Sequence, residues 1–293
     1  MPTFHGCYTA IVTPFAADGS IDFDALDRLV DEQVEAGVRG VVPCGTTGES
    51  PTLSHEEHHE VIQAVVERVA GRVEVLAGCG SNSTEEALSL TTFAAEAGAT
   101  ATLQVVPYYN KPTQEGLYRH FEMIARATKL PVMLYNIPGR TGVALTPATI
   151  ARLAKIETVR GLKEATGNLD QASEVRSLAP GLDVLSGDDA LTLPLFAIGG
   201  HGVVSVAANV VPRDVVALCA WAAEDQDRAR AIHFKLYPLV KALFIETNPI
   251  PVKTALSLLG RCGGDLRMPL CEMEPQNRAK LEQALKAYGL LQG

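Results

Sequence analysis

The chain has 293 residues, 47% of them hydrophobic and 20% charged, and a formal net charge of −9. That is apolar enough for a sizeable core, and without a basic run or a basic–aromatic stripe it excludes the usual nucleic-acid binders. No apolar stretch reaches the length of a membrane span, and the start Met1-Pro2-Thr3-Phe4-His5 lacks the charged-then-apolar order of a secretion signal, so a cytoplasmic enzyme is expected.

Short apolar or β-branched runs predict strands at 7–13, 38–45, 73–79, 101–107, 131–136, 159–165, 182–187 and 202–209. Their spacing is that of one βα unit. The segments between them have helical periodicity. In 23–35, Leu26, Leu29, Val30 and Val34 share a face, Asp22 or Asp24 can cap the start, and Gly37 ends the run. Eight alternating units predict an α/β fold, a closed (β/α)8 TIM barrel. An open dinucleotide-binding sheet fits less well, because Gly78-Cys79-Gly80 supplies only half of a G-x-G-x-x-G turn. Beyond residue 224 the strand pattern stops, and 226–246, 251–259 and 275–291 read as helices. The expected organisation is a catalytic barrel over 1–224 and a small C-terminal helical domain over 225–293, in one compact body. The six cysteines form no C-x-x-C pair and no zinc pattern, so reduced thiols and no bound metal are expected.

Of the nine lysines, Lys163 alone lies in a strand-like run, Val159-Arg160-Gly161-Leu162-Lys163-Glu164-Ala165; the other eight fall on amphipathic helices or in loops. Alternation puts Val159, Gly161, Lys163 and Ala165 on one small, apolar face. Such a site disfavours the charged amine and makes it a nucleophile. The plainer alternative is a lysine at a strand end that reaches solvent or a carboxylate.

The C-terminal strand ends are where a barrel of this kind carries its active site. They collect Gly45-Thr46-Thr47-Gly48-Glu49-Ser50, Pro107-Tyr108-Tyr109-Asn110, Tyr135-Asn136 with Arg140 beyond and Ser186-Gly187-Asp188-Asp189, while the eighth strand begins after Gly199-Gly200-His201. Singly, Tyr135 could fill the barrel, Thr46 and Thr47 could be turn residues, and Arg140 could be an ordinary loop arginine. Together with Lys163 they suggest Schiff-base chemistry. The amine attacks a keto carbon, and the iminium it forms is an electron sink. A phenol linked through hydroxyls supplies the proton transfers. Backbone N–H groups of the Gly45–Gly48 turn suit a carboxylate, and Arg140 suits a second one.

These motifs, GTTGES at 45–50, PYYNKP at 107–112, YNIPGRTG at 135–142, GLKEATGN at 161–168 and SGDDA at 186–190, resemble the dihydrodipicolinate synthase family of pyruvate-dependent aldolases. The resemblance runs from Ala10 to Lys253. It implies that Lys163 forms the Schiff base with pyruvate, that Tyr135 donates and accepts protons, and that Thr46 relays them between Tyr135 and Tyr109. It implies that Tyr109 acts in the neighbouring subunit's site. Thr46 and Thr47 would hold the pyruvate carboxylate and Arg140 that of L-aspartate 4-semialdehyde, with Gly187 and the Val204 backbone beside the lysine. Val204 stands where many relatives have isoleucine. No cofactor is implied. A homo-oligomer, a dimer of dimers, is, together with an L-lysine effector pocket made of Ser50, Pro51, His55, His58, Asn82, Glu86 and Tyr108. Pro51 stands where alanine is common. A sister aldolase or lyase acting on N-acetylneuraminate, a keto-deoxy sugar acid or hydroxy-oxoglutarate is the alternative, and a barrel that senses an amino acid without catalysis is a third.

His55-Glu56-Glu57-His58-His59 also matches the zinc-protease pattern H-E-x-x-H. The local reading is a helix start, with Ser54 as N-cap and Glu57 three residues on as a capping box.

Overall fold

The computed structural model describes residues 3–292. Eight parallel strands close into a barrel in sequence order: β1 (Gly6–Ala10), β2 (Gly40–Val42), β3 (Glu74–Gly78), β4 (Ala101–Val105), β5 (Val132–Asn136), β6 (Val159–Glu164), β7 (Asp183–Ser186) and β8 (Gly202–Ser205), with β8 pairing back onto β1. The helices are α1 (Phe23–Ala36), α2 (His55–Val69), α3 (Thr84–Ala97), α4 (Gln114–Ala127), α5 (Pro138–Thr141), α6 (Pro147–Leu153), α7 (Leu169–Leu178), α8 (Thr192–Ala197), α9 (Pro212–Glu224), α10 (Gln226–Leu243), α11 (Ile250–Leu258) and α12 (Pro275–Tyr288). None is long and apolar enough to cross a membrane among the described residues.

Local chemistry explains the helix ends. Asp22 caps α1 by accepting the Ala25 amide, and Gly37 closes it in the left-handed conformation. Ser54 and Glu57 form the expected capping box at α2. Thr113, Thr146 and Asn168 cap α4, α6 and α7 through their side-chain oxygens.

The barrel interior is filled by Phe4, Tyr8, Val42, Leu76, Leu103, Met133 and Leu185, with Tyr135 nearer the C-terminal rim. It is a packed core and leaves no pore. Outside it, one apolar cluster runs from Leu26 and Val61 to Leu256 and Leu285, so α10, α11 and α12 share a core with the barrel.

Two strands depart from the simple pattern. In β6, Val159 pairs with Val132 but Gly161 pairs with Met133, so Arg160 is an extra residue. This bulge resets the alternation. Val159 packs outward with Leu162, whereas Gly161, Lys163 and, just past the strand, Ala165 face inward as expected. The Gly161 position needs glycine, because a Cβ there would stand 2.6 Å from the Phe4 ring. The strand β8 stops at Ser205, not at 209. A 3-10 turn, Ala207–Asn209, follows, and Asn209 is turned inward to donate to the carbonyls of Ala10 and Val206 and to accept the Val12 amide.

Candidate active site

Tyr135 and Lys163 are directly paired in register on β5 and β6. Lys163 is 5% exposed, and its amine lies 4.1 Å from the centre of the Tyr135 ring. A cation there is favoured by the ring's electron-rich face. The lysine's stem crosses Gly187 at the end of β7: a Cβ on Gly187 would stand 3.1 Å from both Cγ and Cε of Lys163. Val204 is fully buried on β8 in the same interior layer.

Tyr135 also lines a cavity of about 250 Å³, with Thr46, Ser50, Tyr108, Ile137 and Arg140 among its other walls; Lys163 lies behind Tyr135 and is not part of that lining. The turn after β2 forms one wall. It is closed by backbone hydrogen bonds from Gly48 and Ser50 to the Gly45 carbonyl and from Glu49 to that of Thr46. Among the described residues, no protein acceptor takes the amide N–H of Thr46 or Thr47. A turn with free amides and hydroxyls suits an anion. Thr47 is buried behind the cavity wall, and its hydroxyl accepts a hydrogen bond from the Asn248 side chain (3.0 Å). Arg140, on the single-turn helix α5, donates to the Asn248 carbonyl (3.2 Å). The next residue of β6, Glu164, points outward; burial pushes its carboxyl up, and the Thr166 amide is its backbone donor (2.8 Å).

The two adjacent tyrosines part, but not by strand alternation, because the backbone turns left-handed at Tyr109. Tyr108 lines the cavity. Tyr109 has a positive φ of 71° and is 90% exposed, outside the cavity lining. No hydrogen bond joins Thr46 to Tyr135 or to Tyr109 within the described chain.

The residues expected at an effector pocket fall into one neighbourhood. Glu86 receives His55 (2.8 Å) and the Ser81 hydroxyl, both of which hold its carboxyl below the usual range, the serine more strongly. Asn82 donates to the Tyr108 carbonyl, and Asn110 donates to that of Asn82. Ser50 and Pro51 border the same cavity as Thr46 and Tyr135, beside Tyr108. His58 is buried beside them without a side-chain hydrogen bond to them, and desolvation lowers it to about 4, with the Glu86 carboxylate opposing that shift. The H-E-x-x-H match is scattered, with His55 on Glu86 and the His59 ring stacked 3.8 Å from Phe93. No cluster of His, Cys, Asp or Glu that could hold a metal occurs among the described residues.

The chain matches the model of the dihydrodipicolinate synthetase family over residues 3–288. It belongs to that family. The 4-hydroxy-tetrahydrodipicolinate synthase of Endomicrobium trichonymphae is 56% identical over 98% of this chain and 99% of its own. The chloride-inhibited dihydrodipicolinate synthase of Acinetobacter baumannii, complexed with pyruvate, superposes with a TM-score of 0.97 at 44% identity, covering 99% of this chain and 100% of the other. The Cyanidioschyzon merolae enzyme with lysine bound gives a TM-score of 0.96 at 43% identity, again over 99% and 100%.

Two residues beside the candidate site are ones that sequence reasoning passed over. Asn248 joins Thr47 to Arg140, yet its partners lie 201 and 108 residues away, beyond any local pattern. Lys253 reads as one more lysine on an amphipathic helix, but α11 buries it completely. Its amine reaches Glu49 (2.6 Å) and the Thr13 carbonyl (3.0 Å). Burial lowers the Lys253 amine, and the Glu49 carboxylate opposes that shift. A hint was present in GTTGES itself, where a glutamate follows four small residues in a turn that must be buried.

Proposed function

We infer that this chain is a 4-hydroxy-tetrahydrodipicolinate synthase, condensing pyruvate with L-aspartate 4-semialdehyde at the committed step toward diaminopimelate and lysine. The observation that carries the reading is a lysine buried at the C-terminal end of a barrel strand, its amine against the ring of a tyrosine that also lines the cavity beside the Gly45–Thr46 turn. The Lys163 amine adds to the pyruvate ketone and water leaves, giving an iminium. Loss of a methyl proton gives the enamine, whose carbon bonds to the aldehyde carbon of the second substrate. The amino group of that substrate then displaces Lys163 and closes the ring.

In this scheme Thr46 and Thr47 hold the pyruvate carboxylate, with Gly187 and the Val204 backbone beside the lysine, and Arg140 holds the carboxylate of the semialdehyde. Tyr135 is the proton donor and acceptor at the nitrogen. Its relay runs through Thr46 to the Tyr109 of a second copy, a role suited to the 90% exposure of Tyr109. That sharing requires a homo-oligomer of at least two copies, and the family resemblance favours a dimer of dimers. The neighbourhood of Ser50, Pro51, His55, Asn82, Glu86 and Tyr108 is assigned to an L-lysine effector, with buried His58 as support. Glu86 and the carbonyls near it suit an ammonium group.

Borohydride reduction with pyruvate tests the assignment. A stable adduct on Lys163, formed only with pyruvate present, is expected. An adduct on another lysine overturns the mechanism, and absence of turnover with the semialdehyde overturns the substrate pair.

A further inference from the structure

We propose that Glu49 and Lys253 are positioning residues for pyruvate, a buried ion pair by which the C-terminal chain holds the Thr46–Thr47 turn in its carboxylate-binding shape. This rests on the reading of those threonines as the pyruvate carboxylate site.

The turn does not hold its own shape cheaply. Glu49 follows directly on Gly48 and adopts a left-handed φ of 53°, which L-residues other than glycine disfavour. Its side chain is then buried with 0% exposure, as is that of Lys253. A carboxylate placed there must be fully partnered. Both partners come from the far end of the chain. One oxygen takes the Lys253 amine at 2.6 Å, and the other takes the Arg267 amide at 3.2 Å. The same lysine donates to the Thr13 carbonyl, and the Thr13 hydroxyl donates to the Gly48 carbonyl at 2.7 Å. The turn is thus held at two successive residues, Glu49 by the ammonium group itself and Gly48 through Thr13, which the same ammonium group binds.

Around that grip the fit is close. The Lys253 amine lies 4.1 Å from the centre of the Phe15 ring, and the Arg267 guanidinium lies 4.4 Å from it. Arg267 also pairs with Glu57 on α2 and donates to the Thr52 carbonyl just past the turn (2.9 Å). A plain stability role would be served as well by two apolar side chains of the same volume. What such a replacement cannot do is hold a glutamate in the left-handed region with both oxygens bound. Nor can it keep the Thr13–Gly48 contact in register.

The test is the pyruvate dependence of borohydride trapping on Lys163 in the full-length protein carrying Glu49→Gln and Lys253→Met together, which removes both charges without stranding one. The expected result is a cooperative thermal transition, undiminished trapping at saturating pyruvate, and a half-saturating pyruvate concentration raised about tenfold. A folded double variant with unchanged half-saturation overturns the proposal, as does a loss of maximal trapping at unchanged half-saturation. Should the double variant not fold, Thr13→Val keeps the pair and removes only the contact to Gly48. It is expected to raise half-saturation about threefold, and no change overturns the proposal. Thr47→Val run alongside separates the two readings. If it leaves half-saturation unaltered, the threonine assignment falls and the proposal falls with it. If it raises half-saturation while the pair variant does not, the proposal alone falls.

Discussion

Gly187 lies against Lys163: a Cβ added to the glycine would stand 3.1 Å from Cγ and Cε of the lysine and 2.7 Å from the Ala165 Cβ. The stem of Lys163 is therefore aimed by an absent side chain just past the end of the next strand. Gly187→Ala should displace the amine from the Tyr135 face. The rate of trapping with saturating pyruvate should drop about a hundredfold, as for a displacement of about 1 Å at a reacting group. Stopped-time reduction with mass analysis measures it, and a wild-type rate would mean that the lysine finds the same position by another rotamer.

Arg140 donates to a backbone carbonyl and leaves the rest of its guanidinium at the cavity. Arg140→Ala should raise KM for the semialdehyde about tenfold to a hundredfold. The pyruvate concentration that half-saturates trapping should not move. Steady-state kinetics in both substrates checks the split, and equal damage to both would remove Arg140 from its assigned role.

Tyr109 presents its side chain outward. Tyr109→Phe should lower kcat about a hundredfold. Mixing this variant with Lys163→Ala, followed by subunit exchange, should restore part of the activity, because one class of site then receives both an intact lysine and an intact phenol. Activity assays on exchanged mixtures check it, and no recovery in mixed oligomers would place Tyr109 outside the relay.

His58 and His120 are buried, and desolvation brings each from 6.5 to about 4 in the folded state. An unfolded chain binds protons on these rings below about pH 6.5, whereas the folded chain does not until about pH 4. Their contribution is therefore complete above pH 6.5 and is lost as pH falls toward 4, at about 1.4 kcal/mol per histidine per pH unit inside that window. Glu164 and Asp189, whose carboxyls burial pushes up, take protons in the folded state and act in the opposite direction. Urea unfolding at pH 7, 5.5 and 4.5 should show the decline, and His120→Asn should make it shallower. An unaltered slope in that variant would assign the acid sensitivity elsewhere.

Strand order was legible because each strand is a short β-branched run and each crossover a capped helix with a clear apolar stripe. The lysine, the tyrosine and the two threonines were legible because they stand at strand ends or in the turns that follow. What stayed hidden depends on three dimensions. The Arg160 bulge cannot be seen without the partner strand, so Val159 reads as inward-facing when it packs outward. Lys253 has ordinary neighbours on an ordinary helix, and only the closed barrel shows that its position is dry. Asn248 acts through residues on β2's and β5's loops, which no local pattern connects.

The bracing of the turn also orders events during synthesis. Thr46, Thr47, Tyr135, Arg140 and Lys163 have all been made by the time the eighth strand leaves the ribosome, and the barrel can close at that point. Asn248, Lys253 and Arg267 are still to come. A nascent chain thus carries these five residues of the proposed site before it carries the parts that brace the turn, and on this reading the turn is fixed last.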